Sequence, residues 1–237
     1  HARMQAAERA GLQIRWTLMH YGVPADLDLL DGNETAFVER FAAFCQATAT
    51  AIADYASPSP RLINPINEIS FLSWAATHTG LIHPHAGDRP EEAGRLKSLL
   101  IRAALAGCSA FRRVDPAARM LWVEPLIHVV APLASPALRQ QAERLHAGQF
   151  EVLDALLGRV QPSLGGAPGY VDLIGVNYYH GNQWEAGSQR PLDWHRADPQ
   201  RVPFSRLLVK LQQRYGVPIT LSETSHVGSG RAAWLSD

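Results

Sequence analysis

Acids, amides and phenols recur in this sequence where short apolar runs end. His20 and Tyr21 follow "GLQIRWTL", Asn67 and Glu68 close "RLINPIN", and Glu124 lies within "RMLWVEP". Asn177, Tyr178 and Tyr179 end "YVDLIGVNYY", and Glu223 ends "VPITLSE". A charged glutamate is rarely buried without a partner. A carboxylate at such a place is therefore either a solvated end cap or a proton donor at the mouth of an active site. Glu68 and Glu223 stand 155 positions apart (223 − 68), so only a fold could make a pair of them. His78, His83 and His85 in "THTGLIHPH" also invite a metal reading, but their spacing matches no usual zinc pattern and reads as a polar loop.

The elements that must position these groups alternate along the chain. The strand candidates are residues 11–18, 61–67, 119–125, 170–179 and 217–223. Between the first two, residues 34–55 carry Phe37, Phe41, Phe44, Thr48, Ile52 and Tyr55 at helical spacing, with Asn33 as the N-cap. Pro90, Glu91 and Glu92 open a second helix with Leu96, Leu99, Leu100, Ala103 and Ala104 on its inner face. A third helix starts at Ser135-Pro136 and holds Leu138, Ala142, Leu145, Leu153 and Leu156. The fourth, residues 203–216, stops at Gly216. The opening "HARMQAAERAG" reads as the tail of a helix entering a strand through Gly11.

Strict strand–helix alternation implies a parallel sheet flanked by helices. A doubly wound nucleotide binder should carry a glycine-rich phosphate loop after a strand, and none is present. Polar residues gathered at the C-terminal strand ends instead suit an α/β barrel of the (β/α)8 type, whose chemistry sits on that rim. The 237 residues are expected to form a single domain, 1–237. Apolar content is 46% and charged content 19%, the mix of an ordinary globular protein. Lys plus Arg (22) balances Asp plus Glu (22), which leaves no basic field for nucleic acid or an anionic membrane. No apolar run reaches membrane-spanning length. Cys45 and Cys108 read as two buried thiols in a reducing compartment, and with no export signal visible the expected location is cytoplasmic.

Four segments carry a family resemblance. "TLMHYGVPADL" resembles the T-L-x-H-W-D-L-P-x-x-L segment of glycoside hydrolase family 1, and "INPINEIS" is similar to its T-x-N-E-P segment. "VDLIGVNYYHG" resembles D-F-I-G-L-N-Y-Y-T, and "VPITLSETS" resembles P-I-Y-I-T-E-N-G. All four occur in the family's order, each at a predicted strand end. The match covers the third to seventh strands of an eight-stranded barrel, so the chain is expected to be a partial (β/α)8 barrel, incomplete at both ends. It also departs from the pattern. Tyr21-Gly22 replace Trp-Asp, Ile69 replaces Pro, and Thr224-Ser225 replace Asn-Gly.

The resemblance implies a retaining β-glycosidase that needs no cofactor and acts on a small β-linked carbohydrate. Glycosidic cleavage needs a proton for the leaving oxygen and a group to meet the oxocarbenium-like carbon. Two carboxylates ~5–5.5 Å apart do this with retention. By the resemblance Glu68 is the acid/base and Glu223 the nucleophile. Asn67 would bind the sugar 2-hydroxyl, Tyr179 would donate to Glu223, His20 would contact a sugar hydroxyl, and Asn177 would support the site. Trp74 and Trp184, placed in loops, read equally as sugar platforms or as loop core. Tyr178 reads as packing, and Glu124 as an ion-pair partner of Arg112 or Arg113. Two alternatives remain: another retaining hydrolase of the same barrel clan, or a non-catalytic barrel that binds carbohydrate.

Overall fold

The computed structural model describes residues 2–55, 57 and 59–236. The chain divides into two compact units. One comprises residues 1–123 and 152–173, the other residues 124–151 and 174–237.

The first unit begins with α1 (Ala2–Arg9), which ends at Gly11 with φ 63° and leads into β1 (Arg15–Met19). Then come α2 (Glu34–Ala53), β2 (Leu62–Ile66), the short α3 (Ile69–Trp74) and α4 (Ala93–Val114). β3 (Arg119–Pro125) follows. The strands pair in parallel in the order β1-β2-β3, with Trp16 beside Ile63 and Ile63 beside Met120. β2 is buried along its whole length, as the central member of a helix-covered parallel sheet must be.

Asn33 caps α2 by accepting from the Ala36 amide at 3.1 Å, as its sequence position predicts. The buried stripe of that helix is Phe37, Phe41, Cys45, Ala49 and Ile52. The expected Phe44 is instead 48% exposed, and Phe41, Cys45 and Ala49 make up the buried stripe around it. Gly107 of α4 is the reason. A Cβ added to it would lie 2.7 Å from Cys45 Sγ and 2.9 Å from the Phe41 ring, so the two helices meet where one side chain is absent. All five residues expected on the inner face of α4 are buried. Pro90 opens a short 3-10 turn, and α4 proper starts at Ala93.

In the second unit β4 (His128–Val130) leads to α5 (Pro136–Gly148). The predicted third helix breaks there, and α6 (Glu151–Leu156) is separate and belongs, from Val152 on, to the first unit. Gly148 and Gln149 end α5, and the Gln149 side chain turns aside to accept the Ile127 amide at 3.1 Å. β5 (Leu173–Asn177), β6 (Gln183–Glu185), α7 (Phe204–Tyr215), β7 (Ile219–Glu223) and α8 (Arg231–Ser236) complete the chain. β5 pairs in parallel with β7, and β4 with β6. Gly216 takes φ 70° and donates to the Gln212 carbonyl, stopping α7 as expected. A small core of Val129, Ala142 and Ala186 holds α5 against the β4–β6 ribbon.

Among the described residues no helix is long and apolar enough to cross a membrane. Cys45 and Cys108 are buried and unbridged. Burial pushes the Cys45 thiol up to about 12 and Cys108 upward as well, so neither is a reactive thiolate.

Candidate functional site

Glu68 owes its position to the two strands beside β2. Beyond β2 the Asn67 amide donates to the Met19 carbonyl at the end of β1 (2.9 Å). The Glu68 amide donates to Val123 of β3, also at 2.9 Å. These bonds pin consecutive residues to opposite neighbours at the C-terminal strand ends. Glu68 then takes φ 46° and ψ 60°, and its carbonyl accepts the Leu72 amide to begin α3. A non-glycine residue in the left-handed region costs about 1–3 kcal/mol, and such residues cluster at functional sites. Tyr21, on the turn after β1, has φ 68°.

These two strained residues touch. The Tyr21 hydroxyl donates to Glu68 Oε2. Asn67 Nδ2 donates to the Tyr21 oxygen at 3.3 Å, and Asn64 Nδ2 donates to Asn67 Oδ1 at 3.3 Å. Glu68 is 8% exposed and Asn67 1%. His20 is exposed, with its ring edge-on to Tyr21 at 4.5 Å. His20 thus lies against the tyrosine that bonds to both Asn67 and Glu68. Asn64, which starts the chain of hydrogen bonds, was not expected from the sequence, and Tyr21 was expected only as a polar residue at a strand end. The N-x-x-N-E spacing of Asn64, Asn67 and Glu68 was the available signal.

In the second unit a bulge places Glu223. The register runs Val176 beside Leu221 and then Asn177 beside Glu223, so Ser222 is the extra residue. The Tyr179 hydroxyl donates to Glu223 Oε2 at 2.8 Å, and the Tyr178 amide donates to the Glu223 carbonyl at 2.9 Å. Asn182 braces this turn. It accepts the Tyr179 amide and donates to the carbonyls of Leu126 and Asn177. Asn177 is fully buried, and neither polar atom of its side chain has a partner. Tyr178 packs, as expected, stacking on Phe204 at 4.2 Å while its oxygen accepts from Gln183 and Arg201. His180, Trp194, His226 and Trp234 gather beyond β7, with His180 and His226 4.6 Å apart. Burial, then His226, holds His180 below its ordinary pKa. Trp234 donates to Thr224 Oγ1 at 2.8 Å, anchoring the residue after Glu223.

Other expectations are corrected. Trp74 ends helix α3 rather than lying in a loop, and is 47% exposed against Phe71 and His78. Trp184 lies in β6 and packs on the Val129–Ala142–Ala186 core. Arg112 pairs with Asp172 at 2.6 Å, and Arg113 reaches Gln46, so the partner expected for Glu124 is engaged elsewhere. Among the described residues no three His, Cys, Asp or Glu side chains are grouped to hold a metal ion. A cavity of about 430 Å³ against α5, lined by Arg139, Glu143, His146 and Gln200, includes none of the strand-end groups.

No family model matches the chain, and no curated protein does. Solved structures do. The chain superposes over 98% of its length on 62% of the AHE enzyme from Alicyclobacillus herbarius, with TM-score 0.76 and 19% identity. It covers 61% of the virulence factor SghA from Agrobacterium tumefaciens (98% of this chain, TM-score 0.72, 17% identity). It covers 57% of the β-glucosidase from Thermotoga maritima in complex with deoxynojirimycin (96% of this chain, TM-score 0.69, 15% identity). SghA also matches in complex with its substrate analog salicin. The chain therefore spans about three-fifths of the structures it matches. Its fold is α/β, with parallel strands and alternating helices, and matches part of a (β/α)8 barrel. It superposes on part of the barrel of these β-glucosidase structures.

Proposed function

We propose that this protein is a retaining β-glycosidase in which Glu68 is the acid/base and Glu223 the nucleophile. The observation that carries the reading is the hydroxyl donated to each glutamate, by Tyr21 to Glu68 and by Tyr179 to Glu223. A solvated end cap needs neither. A phenol donating to a carboxylate is a charge-assisted bond that aims the carboxylate and favours its anion.

In the first step Glu223 attacks the anomeric carbon while Glu68 protonates the departing oxygen. In the second Glu68 takes a proton from a water whose oxygen bonds to the anomeric carbon, which breaks the ester and releases the sugar from Glu223. Asn67 and His20 meet sugar hydroxyls. Asn177 supplies a buried amide whose unpaired atoms cost about 1–3 kcal/mol, a cost removed when a substrate hydroxyl or a water reaches them. The substrates are small β-linked glycosides, the class to which salicin belongs, and no cofactor takes part. The chain acts as part of such a barrel domain in the cytoplasm.

The test is incubation with 2-fluoro-2-deoxy β-glycosides bearing a good leaving group, followed by mass spectrometry of the peptides. A fluoroglycosyl ester on Glu223 is expected. Binding of the sugar with no ester and no turnover would favour the non-catalytic carbohydrate-binding reading.

A further inference from the structure

Tyr21 stands where the family pattern has tryptophan, and its hydroxyl occupies a place no indole can fill in the same way. We propose that Tyr21 is a positioning residue for Glu68: it engages one carboxyl oxygen, aims the carboxylate and favours the anion. This role rests on the reading of Glu68 as the acid/base.

The direction of each bond follows from its neighbours. Asn64 Nδ2 donates to Asn67 Oδ1, which fixes the Asn67 amide with its nitrogen toward Tyr21. That nitrogen occupies an acceptor site on the phenol oxygen. The phenol hydrogen is then left to point at Glu68 Oε2. An ionised carboxylate can only accept, so the chain of donors Asn64, Asn67 and Tyr21 ends on it without conflict. Backbone geometry supports the pairing. Tyr21 and Glu68 both take positive φ, and each is held from its own strand end. The Tyr21 ring packs against Phe71 of α3 at 5.7 Å, so the phenol is steered from two sides.

The titratable groups on the elements around Glu68 are few. His20 and Tyr21 follow β1, and His78 lies in the helical segment that Glu68 opens. Glu124 is the next residue after Val123, which accepts the Glu68 amide. A change confined to the Tyr21 hydroxyl leaves all of them in place.

The experiment is a ¹³C-carboxyl titration of the full-length protein with labelled glutamate, the Glu68 signal assigned by its loss in Glu68→Gln. In Tyr21→Phe the Glu68 midpoint is expected to rise by about one pH unit, the effect of losing one hydrogen bond to a charged group. The basic limb of kcat/KM against pH should move upward with it. Fluorotyrosine at position 21, a stronger donor of nearly the same shape, should move the midpoint down, which keeps the test decisive if Tyr21→Phe folds poorly. A midpoint unchanged in both would overturn the proposal. A midpoint that moves in a protein with no glycosidase turnover would sustain the Tyr21–Glu68 link and sink the glycosidase reading instead.

Discussion

The two glutamates are held in opposite ways. Glu68 is nearly buried, sits on left-handed backbone, and is fastened by main-chain bonds to β1 and β3. A line of amide and phenol donors ends on its side chain. Glu223 is half-buried, ends a strand that is half-exposed along most of its length, and is aimed by a bulge and one tyrosine. Burial raises the pKa of a carboxyl, and a hydrogen bond to its anion lowers it. A group that must carry a proton in one step and lose it in the next needs both. The contrast matches the two roles proposed and explains why the stronger scaffold surrounds Glu68.

The largest effect should come from Glu223→Gln. Losing the nucleophile should cut kcat/KM for aryl β-glycosides by about 10⁴-fold or more. Glu68→Gln should cost about 10²–10⁴-fold in kcat with poor leaving groups, and less in the first step with good ones that need no proton. If the two variants lose equal activity on every substrate, the division of roles fails. Tyr179→Phe removes one charge-assisted bond of about 1.5–3 kcal/mol, so turnover should fall roughly 10- to 100-fold with KM little changed. A fall in affinity alone would mean that the tyrosine serves the sugar and not Glu223.

Stability should divide the units as well. Gly107→Ala gains about 1 kcal/mol of helix propensity. The contact at 2.7 Å with Cys45 Sγ costs more, since overpacking runs to about 1–3 kcal/mol. A small net loss in urea midpoint is expected, relieved by adding Cys45→Ala. A more stable single variant would show that α2 and α4 yield easily.

The smallest effect belongs to the second unit. There the Val129 amide donates to His146 Nε2 at 2.8 Å, a bond only an unprotonated nitrogen can accept. Burial pulls both His146 and its stacked neighbour His128 down, His128 to about 4. Unfolded histidines bind protons near 6.5, so between about 6.5 and 4 the unfolded state holds more. Stability must therefore fall as pH falls through that window. Hydrogen exchange should show the Val129 amide opening at pH 5 before the amides of β2. Simultaneous opening would contradict the difference drawn between the units.

Much of the barrel was readable in advance because its signals are local. Asn33 and Gly216 act through their own helix ends, and the alternation of apolar runs survives any error of phase. Phe44 was misplaced because Phe outweighs Cys and Ala in apolar character, while the true stripe was chosen by Gly107 on another helix. The break after Gly148 was hidden by leucines that keep helical spacing across it. α3 was missed because it is six residues long and opens on a strained glutamate in place of a capping side chain. β4 and β6 have three residues each, too few to show a period. Glu68, Asn67 and Glu223 were legible as strand-end polar residues. Tyr21 was legible in the same way but its bond to Glu68, made from one strand end to the next, was not, and Asn64 was not legible at all.

One distance tests the central claim most directly: the separation of the Glu68 and Glu223 carboxyl groups in a crystal structure of the full-length protein. Retaining chemistry predicts ~5–5.5 Å, with both groups facing one cleft. A separation of ~6.5–9.5 Å, or carboxyl groups facing different clefts, would contradict the account.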